Sequence, residues 1–229
     1  MNVQPSVREP TSGTPEAARP ADEPAQRPWP RLAVLSSLIL VWFVLIQRFG
    51  EGDVYAVVGP YGCAVCAVSI ASDPRAIWSW LAPRARDIWI GLAVGILMTA
   101  LTYPVFRLGV AIEPSLDAQV QGLYVGARST TLPKALTWVV AIICAEELLF
   151  RGAFPATLQR WLPRRAAFSL SLIAYTLAQY GTGSWIVMAM AGVCGSIWTV
   201  QRLYTNSLLS PLISHLIWSP TVILLYPVT

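Results

Sequence analysis

Seven apolar stretches, near 32–49, 54–72, 88–108, 133–152, 166–182, 184–201 and 207–227, dominate this chain of 229 residues. A bilayer core about 30 Å thick is crossed by about 20 residues of helix, so each stretch reads as a transmembrane helix. That core offers no water to an unpaired backbone N–H or C=O, so a helix must satisfy its own backbone there. The fold class this predicts is all-α: a polytopic membrane helix bundle of about seven transmembrane helices. Composition agrees, with 55% hydrophobic and only 12% charged residues, against about a quarter charged in globular domains. Ten tryptophans and eight tyrosines suit a protein with two membrane–water interfaces. The net charge of +4 comes from arginines beside the membrane and does not point to nucleic acid. Its sixteen basic residues are all Arg except Lys134, a bias that fits a GC-rich bacterial genome.

Three regions are expected. Residues 1–31 form a polar tail; positions 1–30 hold seven of the eighteen prolines, four acids and three arginines. This tail is expected to be disordered, and no apolar run before Leu32 resembles a secretory signal. Residues 32–132 hold the first helices and a long external loop, about 109–132, whose structure the sequence leaves open. Residues 133–229 hold the last four spans. Arginines favour one set of loops: Arg8, Arg19, Arg27 and Arg31, then Arg75, Arg84 and Arg86, then Arg160, Arg164 and Arg165, then Arg202. The positive-inside rule therefore places the N-terminus in the cytoplasm of a multi-pass inner-membrane protein. Gly91-x-x-x-Gly95 is expected to be a helix-packing face. Cys63-x-x-Cys66, with Cys144 and Cys194, reads as thiols packed within spans rather than a redox or metal motif.

The most unusual residues inside these spans are Glu146 and Glu147, which follow an almost unbroken apolar run from Ala135. Ionisable residues at membrane depth are costly and usually mark function. On a helix, Glu147 and Arg151 are four apart and can pair, while Glu146 points about 100° away. Glu147–Arg151 is therefore expected to be a structural pair, or else Arg151 meets a substrate carboxylate. Glu146, with no partner in sight, is the better base, because burial without a counter-charge makes a carboxylate hold a proton more tightly. Thr131 is the expected N-cap of this helix, with Pro133 in its first turn. Glu146 then lies about 20 Å from the external end, and His215, the only histidine, about 14 Å from its cytoplasmic end. Both fall at similar depth. Ser219 is one turn beyond His215. Pro211 and Pro220 flank the pair and are expected to break the helix around the histidine. In the fifth span, Gln179 lies one turn beyond Tyr175 and deeper than the other two groups. His215 alone reads equally well as a packing histidine, and Gln179 alone as inter-helix glue.

Together these residues resemble the CPBP family, the type II CAAX prenyl endopeptidases and bacteriocin-processing proteins. The resemblance covers about 133–220. Its carriers are Glu146-Glu147-x-x-x-Arg151-Gly152, then Tyr175-Thr-Leu-Ala-Gln179, then His215-Leu-Ile-Trp-Ser219 with its approach from Asn206. The family usually has Phe and His in the second motif, where Tyr175 and Gln179 stand, and Asn or Asp where Ser219 stands. The resemblance implies a glutamate-dependent intramembrane endopeptidase with no metal and no cofactor. Glu146 would activate a water, Gln179 would hold it, and His215 with Ser219 would donate to the oxyanion. Tyr175 and Phe150 would line the pocket. The implied substrates are membrane-anchored or membrane-inserted peptides. The alternatives are a catalytically impaired member that binds a peptide or partner helix, and, last, a proton-coupled transporter.

Overall fold

The computed structural model describes residues 28–49, 54–128 and 130–228, and every regular element in them is a helix. In order they are α1 (Pro28–Phe49), α2 (Val54–Ser72), α3 (Pro74–Leu81), α4 (Ala85–Ile112), α5 (Ser115–Arg128) and α6 (Leu132–Glu146). A π-helical segment, Glu147–Ala153, carries α6 into α7 (Phe154–Leu158). Then follow α8 (Arg164–Ala178), a 3₁₀ turn (Gln179–Thr182), α9 (Trp185–Thr205), α10 (Leu209–Pro220) and a second π turn, Thr221–Leu225.

The molecule is an all-α membrane helix bundle, with helix at each of the seven expected positions. Trp29–Phe49, Tyr55–Ser72, Ala85–Ile112 and Trp185–Thr205 are long and apolar enough to cross a membrane by themselves. The other three stretches are divided: α6 by its π segment, α8 by the 3₁₀ turn, and α10 by the π turn that ends it. Two helices were not anticipated. α3 occupies the second loop, where Asp73 caps it by accepting from the Ala76 N–H at 3.1 Å. α5 occupies the stretch expected as a loop, and is anchored there by the Tyr124 hydroxyl, which donates to the Val222 carbonyl at 2.9 Å. The expectation for the N-terminal tail lies mostly outside the described residues; Pro28 to Arg31, assigned to it, instead begin α1.

α10 packs most closely against α4, and the glycine pair is the reason. A Cβ at Gly91 would stand 2.8 Å from both the Ser210 carbonyl and the Ile213 Cβ, and one at Gly95 would stand 3.0 Å from Ser214 Cα. Without a hydrophobic drive between helices in lipid, close backbone approach of this kind supplies the association. Contrary to expectation, α10 is not broken around its histidine. Pro211 falls in its first turn, where the missing N–H has no intrahelical acceptor to lose. The Ser207 carbonyl lies outside the helix and accepts from the Thr205 hydroxyl at 3.4 Å. The backbone changes only after Pro220. Thr131 flanks α6 in an extended conformation but makes no side-chain cap. Of the cysteines, Cys194 is buried and Cys66 and Cys144 are half-buried, whereas Cys63 is exposed on the outer face of α2 and not packed.

Gly91→Val should push α10 off α4 and lower stability by about 1–3 kcal/mol or more. Gly192→Ala, whose added methyl meets only Thr176 at 3.6 Å, should be near neutral. Thermal unfolding of both variants in detergent measures the difference.

Candidate active site

The stretch that places the acid pair is wider than an α-helix. From Glu147 to Ala153 the chain is π-helical, and all seven residues are buried. Such segments are uncommon and often sit at functional sites, because they redirect side chains and disturb the regular hydrogen-bond ladder. Carbonyls disturbed in this way must be met inside the protein. Three neighbours meet them. Ser171 donates to the Phe150 carbonyl at 2.6 Å, Arg202 Nε to the Arg151 carbonyl at 3.2 Å, and Thr157 to the Ala153 carbonyl at 2.8 Å. Arg202 is itself buried and lies over the Trp80 ring at 4.6 Å.

Glu147 pairs with Arg151 at 3.2 Å, as the four-residue spacing predicts. The same oxygen, Oε1, also takes His215 Nδ1 at 2.9 Å. A carboxylate accepting from Arg151 has only acceptors to offer, so His215 Nδ1 carries the proton in this bond. The other oxygen, Oε2, is buried with no hydrogen-bond partner. Glu146 is not unpartnered as the sequence suggested: like Glu147 it accepts two hydrogen bonds, though from neutral groups. Gln179 Nε2 donates to its Oε1 at 2.9 Å and the Tyr175 hydroxyl to its Oε2 at 3.2 Å. Tyr175 is thus a hydrogen-bonding member of the cluster and not only a packing ring. Helix rotation separates two neighbouring carboxylates, but it says nothing of which foreign helix each one meets.

His215 Nε2 faces Glu146 Oε2 at 3.8 Å. That is too long for a hydrogen bond, and it leaves a gap between base and imidazole. The two groups placed at equal depth by counting residues are therefore neighbours across two helices. Gln179, which counting places deeper, reaches Glu146 because α8 ends at Ala178 and the chain tightens into a 3₁₀ turn. That turn sits close to α1: a Cβ at Gly181 would stand 2.7 Å from the Phe43 carbonyl. Ser219 is buried one turn past His215, and its hydroxyl joins none of the hydrogen bonds of this cluster. Phe150 meets the Tyr175 ring edge-on at 5.1 Å. Among the described residues no group of three His, Cys, Asp or Glu is arranged to hold a metal ion.

Sequence reasoning missed Trp198 of α9. Its ring stacks on the His215 imidazole with centroids 3.6 Å apart and planes 19° apart. The Arg151 guanidinium lies 4.2 Å from the Tyr175 ring centroid and 5.4 Å from that of Trp198. Gly195, one turn before Trp198, admits it: a Cβ there would stand 3.0 Å from Arg151 Nη2 and from Tyr175 Cδ1. No motif pointed to this tryptophan, one of ten in the chain. Its place one turn after a glycine was the only available signal.

Removing one member of the buried ion cluster exposes the rest. Arg151→Met should leave Glu147 without its permanent cation and cost about 3–5 kcal/mol. Glu147→Gln combined with Arg151→Met should recover part of that loss. Thermal melts of the single and double variants measure the coupling.

Residues 128–220 match the family model described as Type II CAAX prenyl endopeptidase Rce1-like. No curated protein and no solved structure matches the chain. The matched segment runs from the last residue of α5 to the end of α10 and contains every group of the cluster. Over this segment the chain is similar to the type II CAAX prenyl endopeptidases.

Proposed function

We propose that this protein is an intramembrane endopeptidase in which Glu146 is the general base, cleaving membrane-anchored or membrane-inserted peptides. One observation carries the reading. Glu146 faces His215 Nε2 across a 3.8 Å gap, and each group is held from behind by other residues. A water in that gap gives up a proton to Glu146 as its oxygen bonds to the scissile carbonyl carbon. The carbonyl oxygen becomes an oxyanion and accepts a hydrogen bond from Nε2–H. As the C–N bond breaks, Glu146 returns the proton to the leaving amine. A preorganised donor at the developing oxyanion and a positioned base supply most of the rate.

The charge count supports it. With Nδ1–H committed to Glu147, the ring donates from Nε2 only as the imidazolium. Imidazolium and Arg151 then offset the two carboxylates, and the four buried groups are neutral overall. Neutrality suits a site removed from water, where an unpaired charge is expensive. Tyr175 and Gln179 hold the two oxygens of Glu146 and so fix the direction of its lone pairs. Between them they do the orienting that a histidine at position 179 would do. Ser219 stands one turn past His215 on the same helix, where a peptide bound in the gap brings its carbonyl within reach of the hydroxyl. Glu147 and Arg151 act through His215, as its anchor. No step calls on a metal or a cofactor.

The arginine-rich loops orient the chain with its N-terminus in the cytoplasm of the inner membrane, so the site opens toward the cytoplasmic half of the bilayer. The second reading, a catalytically impaired member that binds a peptide or partner helix, has one observation in its favour. Gln179 gives its N–H to Glu146 directly and cannot carry a proton.

Protein reconstituted in vesicles with a quenched-fluorescence peptide on an apolar membrane anchor separates the two. Glu146→Ala should abolish cleavage and His215→Ala should lower kcat by about 10²- to 10⁴-fold. Gln179→His should preserve or raise turnover. Cleavage that survives Glu146→Ala contradicts the peptidase mechanism.

A further inference from the structure

We propose that Trp198 is the positioning residue of His215: its indole sets the plane of the imidazole, while Glu147 fixes the rotation within that plane. The inference rests on the peptidase reading for its kinetic consequence, but its geometry stands apart from catalysis.

An imidazole on a helix keeps two free torsions. The bond from Nδ1 to Glu147 Oε1, 2.9 Å long, fixes one edge of the ring. It leaves the ring free to swing about that edge, and a swing carries Nε2 toward or away from Glu146. The parallel indole at 3.6 Å blocks that swing, because it would drive the imidazole into its face. Trp198 is itself immobile. It is 1% exposed and meets Trp218 edge-to-face at 5.9 Å. Trp218 in turn is tied to α4 by its N–H, which donates to Thr102 at 2.8 Å. The support therefore runs from α4 through two tryptophans to the imidazole.

The Trp198 N–H has no hydrogen-bond partner. What this indole offers the site is its face. A π face attracts a cation over it, and here two positive groups lie against the same ring, Arg151 at 5.4 Å and His215 at 3.6 Å. Both donate to the same oxygen of Glu147. What the indole face contributes is thus the orientation of the ring that the oxyanion-donor role requires. A phenyl ring keeps a face, though a smaller one, and an aliphatic side chain keeps none.

His215 is the only histidine, so histidine-labelled protein in nanodiscs gives a spectrum of one ring. In the wild type the ring current of the indole should displace the imidazole C–H protons upfield, and a slowly exchanging downfield proton should appear on Nδ1. Trp198→Leu should return the C–H protons to their ordinary positions while the Nδ1 proton, held by Glu147, remains. Trp198→Phe should keep that proton with a smaller upfield displacement. For the anchored peptide, Trp198→Leu should lower kcat about 100-fold, the cost of a catalytic group displaced by about 1 Å, with KM changed by less than about twofold. Trp198→Phe should recover most of the loss. Wild-type imidazole protons at ordinary positions would overturn the proposal, whether or not the leucine variant folds. So would a Trp198→Leu protein that keeps its kcat. Spectra as expected without turnover in the wild type would sink the peptidase reading and leave the positioning role intact.

Discussion

One carboxylate oxygen, Glu147 Oε1, ties this site together. It takes Arg151 at 3.2 Å and His215 at 2.9 Å, inside a bundle where the ions are nearly free of solvent contact. A buried ion pair returns its desolvation cost only when its geometry is good and its other donors are met. That demand reaches outward. The guanidinium lies over the Tyr175 ring, so α9 must approach closely, and a side chain at position 195 would crowd both groups. The imidazole must reach Glu147 from α10, so α10 must lie close, which the α4 glycines permit by leaving no side chain in the way. The acid next in sequence, Glu146, is then free of Arg151 and is taken by α8 instead.

The π-helical segment makes this arrangement possible and is itself expensive. Its backbone carbonyls draw on Ser171, Arg202 and Thr157 for partners. Arg202 in particular spends a buried guanidinium on one of these carbonyls and on Asn206, stacked over Trp80. Side chains that look scattered along the chain are therefore one support system for seven residues of irregular helix. A site built this way is rigid at the base and at the imidazole. Between Glu146 and His215 Nε2 the side chains leave a 3.8 Å separation that no hydrogen bond closes.

Much of this was legible in the sequence, for identifiable reasons. Length and apolarity place the spans, because lipid leaves the backbone few alternatives. The Glu147–Arg151 pair follows from spacing on one helix. The similar depth of Glu146 and His215 follows from counting along two helices, since the rise per residue is nearly fixed. The misses have equally physical causes. Glu146 seemed unpartnered because its partners, Tyr175 and Gln179, come from another helix, and a sequence holds no inter-helix rotation. The bond between His215 and Glu147 is hidden for the same reason. Pro211 was read as a break because proline ends or begins helices with the same ring, and only the observed start at Leu209 decides which. The π segment has no composition of its own; it is imposed by neighbours that supply its missing partners. Trp198 was lost among other tryptophans that suit membrane interfaces.

The likeness of residues 128–220 to a type II CAAX prenyl endopeptidase model and the geometry of the cluster support the proposed account. Its central claim is that the Glu146 carboxylate is spent on bonds in the chain's natural substrates. The most direct measurement compares protein termini in membrane and secreted fractions of the native host. Three strains suffice: wild type, a deletion, and the deletion carrying Glu146→Gln, a variant that keeps the size of the side chain, removes its charge and replaces one acceptor oxygen with an amide donor. The account predicts a set of termini absent from both mutants and restored by the wild-type protein. If Glu146→Gln restores everything the deletion loses, the carboxylate is dispensable and the pocket is a binding site.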